Sequence, residues 1–500
     1  MILTKFCIVI FIALLIWKLD NSETFNSAFN TKFQKAIINV LAILIIFTVF
    51  NYKPVDGCNN LGEKYDIYSK YLVESLLDGK VSVYKDPSPE LQALENPYDP
   101  SQRTMWYSFD TAYYEGKYYV YFGVVPAILL FVPYTLITGE YLGTHIATTI
   151  FMILSIYANI ALTIEIYKRW FKNLPFKMLI LFIISGIISG MYVWNAWRMW
   201  LYELTLISGF FFVQLGLMLM IKATKEEKVY FKLVVLSCLS MALAVGCRPT
   251  TVFASALLLP FMYDILKRSD RRKALLSIII PYTIVAIPLM IYNYVRFGNI
   301  LEFGAKYQLT VVDVTDLSER YKDIPKGMYQ YLIKFPNTNS EFPYIHVDRN
   351  TEGFTKNYFC GGMVSGILFL NITMINLVLL IKYFRKTNDN SLKFLMILLP
   401  IIGLILTVVT VYYGGSCQRY CVDFFWMFTF LSIIIWGLMY KYSSEKGQNR
   451  IFKTLLILTL ITVIFNFYAT FLNSEYDYLR RILPEKFEYY KELLYFIDFN

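Results

Sequence analysis

The chain has 500 residues, of which 57% are hydrophobic and 17% are charged. Soluble domains carry about 25% charged residues and rarely build one core from more than about 250–300 residues, so this composition excludes a soluble globular fold. The net charge is +10, but the basic residues cluster in short loops between apolar runs. That pattern is typical of the loops between membrane spans, and it does not indicate binding to nucleic acid.

Twelve apolar runs could cross a bilayer if tilting and local thinning absorb small differences in length. They are residues 2–17, 36–50, 144–167, 178–194, 203–222, 230–247, 250–266, 274–293, 362–381, 393–412, 422–440 and 451–470. The first looks like a signal peptide, but no small-residue cleavage site follows Trp17, so we predict a retained span. The sequence therefore predicts an all-α integral membrane protein with about 12 transmembrane helices.

The loops between these runs alternate in charge, which predicts their side of the membrane. The basic loops, which we place inside, are 168–177, 221–228, 266–273, 382–390 and 441–450. Residues 119–138 are apolar but contain Pro126 and Pro133, and a crossing there would bring the 52–118 loop inside. We predict instead a juxtamembrane or re-entrant element on the outer side.

This topology divides the chain into six parts. We predict two N-terminal spans, a first outer loop with juxtamembrane elements, a central bundle, a second outer loop, a C-terminal bundle and an amphipathic tail on the outer face. Their boundaries are 1–51, 52–143, 144–293, 294–361, 362–470 and 471–500.

Two carboxylates in the first outer loop are candidate catalytic residues. Asp66 lies at the N-cap position of a predicted amphipathic helix that ends near Gly79. Asp110 precedes the run AYYEGKYYVYF, which predicts two aromatic strands joined by a turn at Glu115–Gly116. Helix capping would equally explain Asp66, and turn chemistry would equally explain Asp110.

Basic side chains recur at the outer ends of the predicted helices, where charge is costly and marks candidate binding residues. The guanidinium group of arginine can also donate two hydrogen bonds to one phosphate group. For Arg419 the alternative is an ion pair with Asp423, four residues further on. The candidate substrate-binding residues are Arg103, Lys117, Arg198, Arg248, Arg296, Lys306 and Arg419.

The layout resembles the type C (GT-C) membrane glycosyltransferases that use polyprenyl-phosphate sugars. The resemblance rests on Asp66 with Tyr71 and Gly79, on the element YYVYFGVVPAILLFVPY, and on NPYDP and YNYVRFGN...EFGAKYQLT, which resemble uncharacterised bacterial relatives. The chain has Asp66-Ile67 where the family often has Asp-Glu, and a single Pro126 replaces a double proline. These departures leave the base assignment open between Asp66 and Asp110.

The resemblance implies an enzyme of the bacterial plasma membrane that moves a sugar from a polyprenyl-phosphate carrier to a glycan or lipid acceptor of the cell envelope. An aspartate would act as general base, and arginines would bind the phosphate. Type C enzymes differ in their use of divalent metal, and the sequence shows no ligand set. The alternatives are a flippase or transporter of lipid-linked saccharides, a glycan polymerase or ligase, and a non-catalytic membrane partner with a large outer loop.

Overall fold

The computed structural model describes residues 22–51, 67–83, 85–103, 107–196, 199–472, 480 and 484–494. Eleven apolar helices dominate these ranges. In chain order they are α1 (Lys32–Asn51), α2 (Ala127–Thr138), α3 (Thr144–Trp170), α4 (Phe176–Ser189), α5 (Leu201–Ala223), α6 (Phe231–Cys247), α7 (Pro249–Arg268), α8 (Arg271–Phe297), α9 (Asn390–Gly414), α10 (Phe425–Lys441) and α11 (Glu445–Ala469).

Seven of these helices (α1, α3, α5, α7, α8, α9 and α11) are long and apolar enough to cross a membrane, judged by length and composition. The predicted class, an all-α integral membrane protein, is confirmed. The predicted span 2–17 lies outside the described residues. Run 362–381 is irregular, because it divides into Ile367–Leu370, Ile372–Leu379 and Leu380–Lys386.

The packing separates a protein-facing centre from a lipid-facing rim. Helix α5 packs against α3 and α6, and 78% of its most apolar window is buried. Helix α8 packs against α6, yet only 11% of its corresponding window is buried. An apolar helix that is left uncovered by protein needs lipid around it, so α8 lies at the rim of the bundle.

Within the proline-containing apolar segment 119–138, residues Ala127–Thr138 form the short helix α2. Its twelve residues rise about 18 Å, well short of the ~30 Å hydrocarbon core. Pro126 directly precedes the helix, where its missing N–H costs nothing. Gly139 ends the helix in the left-handed conformation at φ 74°.

The described chain also contains shorter helices. They are Glu23–Asn26, Ile67–Tyr71 continuing into Leu72–Leu77, Pro89–Gln92, Tyr192–Ala196, Ala305–Tyr307, Arg320–Asp323, Ile324–Leu332, Gln418–Asp423 and Pro484–Leu494. The helix predicted to end near Gly79 is therefore present, and Gly79 has φ 69°. The C-terminal helix packs through Phe487 and Leu494 onto a small apolar cluster with Phe342 and Phe471.

Three two-stranded sheets complete the described chain. Strands β1 (Ala112–Tyr114) and β2 (Lys117–Tyr119) are antiparallel, with Tyr113 opposite Tyr118. Strands β3 (Asn337–Thr338) and β4 (Ile345–His346) form a second antiparallel pair, and β5 (Cys360–Gly362) pairs in parallel with β6 (Ser416–Cys417). The β1–β2 hairpin turns at Glu115 and Gly116, both at positive φ, as the sequence predicts.

Candidate functional site

The β1–β2 hairpin is held on the end of α8 by a buried arginine. Arg296 Nη1 donates to the Val120 carbonyl oxygen at 2.7 Å, and Nη2 donates to Asn293 Oδ1 at 2.7 Å. The guanidinium also lies 4.0 Å from the centre of the Tyr292 ring. These contacts occupy both terminal nitrogens, so Arg296 positions the hairpin.

Asp110 lies immediately before β1 and is only 7% exposed. Its φ of 55° is uncommon for a residue with a side chain, and the turn is stabilised by its N–H, which donates to the Leu309 carbonyl oxygen at 2.9 Å. The Gln308 side chain donates from Nε2 to Asp110 Oδ1 at 3.1 Å. Gln308 and Leu309, which are distant from Asp110 in sequence, therefore fix the orientation of this carboxylate.

Gln308 also connects Asp110 to the hydroxyl of Tyr121, because the same Nε2 donates to the Tyr121 oxygen. Burial raises the pKa of Tyr121 well above its ordinary value, and the negative charge of Asp110 adds to this effect. The positive charges of Arg419 and Arg248 act in the opposite direction and are smaller effects. Tyr121 is thus protonated at neutral pH, and its hydroxyl donates to no described residue.

Arg248, at the end of α6, forms a bidentate ion pair with Asp423. Arg248 Nε lies 2.7 Å from Oδ1, and Nη2 lies 2.5 Å from Oδ2. The Asp423 side chain is 5% exposed and the Arg248 side chain 22% exposed, so the pair is largely shielded from water. Arg248 Nη1 makes no hydrogen bond to the described part of the chain and keeps its donors available.

Arg419 lies between two aromatic rings near the start of α5. Its guanidinium is 5.0 Å from the centre of the Tyr202 ring and 5.1 Å from that of Tyr420. Its Nε is 3.9 Å from Glu203 Oε1. The alternative pairing of Arg419 with Asp423 is wrong, because Gln418–Asp423 is a 3₁₀ helix and Asp423 pairs with Arg248.

A close backbone approach places the hairpin segment against α6. A Cβ atom on Gly123 would lie 2.0 Å from the Cys247 carbonyl oxygen, so only glycine fits there. Tyr68 reinforces the contact, since its hydroxyl donates to the Gly123 carbonyl oxygen at 2.6 Å and accepts from the Ala127 N–H at 3.1 Å. The segment that follows β2 is thereby fixed next to Arg248.

A narrow apolar cleft begins at the Arg248–Asp423 pair. Asp423 is part of its wall, and Thr250 and Thr251, just after Arg248, form another part. The rest of the lining is apolar and comes from α5, α7, α9 and α10: Phe210, Val213, Ala254, Leu406 and Trp426, together with Val422. The Arg248–Asp423 pair thus borders an apolar surface between these helices.

The predicted site residues divide into two groups. Gln308 links Asp110 to Tyr121, and Arg248 and Arg419 lie 5.6 Å and 5.1 Å from the centre of one ring, that of Tyr420. The charges of all three predicted residues act on Tyr121. Arg296, Lys306, Lys117 and Arg103 do not join this cluster; Lys306 pairs with Glu302 at 3.2 Å, and Lys117 is exposed on β2. Asp66 and Arg198 lie outside the described residues.

Four residues of the cluster were not singled out from the sequence, namely Tyr121, Gln308, Tyr420 and Glu203. Tyr121 and Gln308 stand inside GKYYVYFG and EFGAKYQLT, so the signal was present but not specific. Interface aromatics are too common for one ring to indicate a site. Among the described residues, no group of three or more His, Cys, Asp or Glu side chains could hold a metal ion.

Similarity to known proteins is found at the level of solved structures. No protein family and no curated protein matches the sequence. The chain is similar to the crystal structure of ArnT from Cupriavidus metallidurans bound to undecaprenyl phosphate, with 11% identity and a TM-score of 0.43. The match covers 84% of this chain and 62% of the ArnT chain, so this chain spans less than two thirds of the length of ArnT.

Proposed function

We propose that the chain is a membrane glycosyltransferase of the bacterial plasma membrane. It transfers a sugar from a polyprenyl-phosphate carrier to a cell-envelope acceptor on the outer face. The observation that carries the proposal is that Arg248 and Arg419 lie against one ring, that of Tyr420, and act on Tyr121, which Gln308 links to Asp110. Asp423, the partner of Arg248, also borders an apolar surface. Such a cluster offers cationic and neutral donors to a phosphate, a carboxylate for proton transfer, and apolar surface for a lipid tail.

In the proposed reaction an acceptor hydroxyl oxygen forms a bond to the anomeric carbon of the donor sugar. The bond from that carbon to the phosphate oxygen breaks, and the polyprenyl phosphate leaves with the electron pair. The acceptor proton passes to an aspartate acting as general base. Arg248 Nη1, Arg419 and the Tyr121 hydroxyl stabilise the charge that develops on the departing phosphate.

Two aspartates remain candidates for the base. Asp110 belongs to the cluster and is oriented by Gln308. Asp66 lies outside the described residues, one position before the helix that carries Tyr68 and therefore close in sequence to the contact with Gly123. If one aspartate is the base, the other positions the acceptor.

A transfer assay in proteoliposomes tests this proposal. The donors are synthetic polyprenyl-phosphate sugars, and product formation is followed by mass spectrometry. Replacing the base by asparagine should lower the rate about 10²-fold to 10⁴-fold, so Asp66→Asn and Asp110→Asn identify it. The matched control is Asp86→Asn, an exposed aspartate of the same loop. Unchanged transfer in both test variants would contradict an aspartate base, and no transfer from any such donor would contradict the proposed function.

A further inference from the structure

The α5–α6 and α7–α8 loops meet at one end of the bundle. Arg268, at the end of α7, donates from Nη2 to the Thr224 carbonyl oxygen at 2.7 Å and from Nη1 to the Glu227 carbonyl oxygen at 3.1 Å. At the start of α8, the Lys273 ammonium lies 4.7 Å from the centre of the Phe231 ring, which begins α6. These contacts bring the charged side chains of both loops onto one surface.

This surface, which we call the basic patch, carries nine cationic side chains and only four carboxylates, a net charge of +5. Its cations are Lys222, Lys225, Lys228, Lys232, Lys267, Arg268, Arg271, Arg272 and Lys273, and its carboxylates are Glu226, Glu227, Asp264 and Asp270. All of these side chains are exposed except Asp264 and Arg268, which are half-buried. Basic loops are general on the inner side of membrane proteins, so the charge alone does not identify a site.

The basic patch differs from a plain basic loop because two of its arginines are left without a partner. Asp264 pairs with Arg268 at 2.9 Å, and Asp270 caps the first turn of α8. Arg271 and Arg272 are exposed, and neither forms a hydrogen bond or an ion pair with the described part of the chain. Their donors are therefore available to an external anion.

An exposed apolar stripe begins one helical turn after Arg272, on the same face of α8. Leu276, Ile280, Ile284 and Ile287 follow at spacings of three or four residues, and all four are exposed. From Leu276 to Ile287 the helix rises about 17 Å, about the depth of one leaflet of a ~30 Å hydrocarbon core. Of the seven long helices that the structure describes, α8 also has the least buried apolar window.

The charges decide which partner fits this surface. A second copy of the chain that used the same face would bring another net charge of +5 against the first, and the two patches would repel each other. The predicted span 2–17, which lies outside the described residues, contains one lysine and no acidic residue, so it could not neutralise the arginines. An anionic phospholipid supplies both a phosphate for the arginines and an acyl chain for the stripe.

We propose that the basic patch and the stripe on α8 together bind an anionic phospholipid. Arg271 and Arg272 donate to the headgroup phosphate, and one acyl chain packs along the stripe that begins at Leu276. This site is separate from the cluster around Arg248, because the patch lies at the start of α6 and Arg248 at its end. The 17 residues of that helix rise about 26 Å, so the inference does not depend on sugar transfer.

Native mass spectrometry of the full-length protein in detergent tests the site. The probes are a phosphatidylglycerol and a phosphatidylethanolamine with identical acyl chains, which differ in the net charge of the headgroup. The wild type should prefer the phosphatidylglycerol. Arg271→Gln/Arg272→Gln should lower the affinity for phosphatidylglycerol about 10-fold to 30-fold, since each arginine near an anionic headgroup contributes roughly fivefold. The affinity for phosphatidylethanolamine should stay unchanged.

The matched control is Lys446→Gln/Arg450→Gln, which removes the same charge from exposed positions at the start of α11 and should change neither affinity. Added phosphatidylglycerol should also raise the denaturation temperature of the wild type but not that of Arg271→Gln/Arg272→Gln. Equal binding of the two lipids, or an equal loss in the control variant, would overturn the site. Inorganic phosphate that binds as tightly as the lipid would overturn the role of the stripe, and a dimer that Arg271→Gln/Arg272→Gln dissociates would assign the surface to a second copy instead.

Discussion

The Arg248–Asp423 pair allows a structural role to be separated from a catalytic one. Removing one partner of a buried ion pair leaves the other charge uncompensated and costs about 3–5 kcal/mol. Because the Arg248 side chain is 22% exposed, the low end of that range, about 3 kcal/mol, is expected for Asp423→Asn and for Arg248→Gln. The double variant leaves no unpaired charge, so its stability should return to within about 1 kcal/mol of the wild type.

Activity should follow a different pattern. If Arg248 Nη1 contacts the departing phosphate, Arg248→Gln loses about 3 kcal/mol of transition-state stabilisation, which is about a hundredfold in rate. The double variant should remain about a hundredfold slow although its stability is restored. If Arg248 contributed only to stability, the double variant would regain its activity together with its folded state.

The assay pairs thermal denaturation in detergent, followed by circular dichroism, with transfer rates in proteoliposomes. Glu319→Gln breaks the exposed pair between Lys322 and Glu319 and should change neither measurement. Recovery of both stability and activity in the double variant would refute a phosphate contact at Arg248. An unchanged denaturation temperature in Asp423→Asn would refute the buried pair itself.

Three further outcomes follow from the site and from the contacts that hold its scaffold. Tyr121→Phe should slow transfer about tenfold or more. The wild-type rate should not fall as pH rises towards 10, because the raised pKa of Tyr121 keeps its hydroxyl protonated. An alkaline decline near pH 9 that disappears in Tyr121→Phe would contradict this. Gly123→Ala should lower the yield of folded protein on fluorescence-detected chromatography, since its Cβ would collide with the Cys247 carbonyl; a normal yield would mean that the two backbones are further apart. Arg296→Gln should speed hydrogen exchange in residues 112–119 by loosening the hairpin from α8, and unchanged exchange would show that other contacts hold it.

The parts that sequence could predict are those set by neighbouring residues. The β1–β2 hairpin follows from Glu115–Gly116 between aromatic runs, and the helix before Gly79 follows from its apolar spacing. Pro126 marks the start of α2, and the juxtamembrane or re-entrant placement of that segment stays a prediction. All of these are local patterns, so no knowledge of the tertiary fold was needed.

The pairings within the site could not be predicted, because they join distant parts of the chain. Asp423 lies four residues after Arg419, which suggested a helical ion pair, but it reaches Arg248 across 175 positions. Gln308 orients Asp110 across 198 positions. Sequence therefore identified charged candidates at the ends of helices, whereas only the fold could show which of them share a site and which, like Arg296, hold the scaffold.

Binding of the lipid carrier tests the central claim most directly. Native mass spectrometry of the purified protein should detect a polyprenyl phosphate bound in preference to the matching polyprenol, which has the same tail without the phosphate. Arg419→Gln and Arg248→Gln/Asp423→Asn should remove that preference while the protein stays folded, because the phosphate loses its cationic partners. Equal binding of the phosphate and the alcohol, or a preference that survives both variants, would contradict a phosphate site at Arg248 and Arg419.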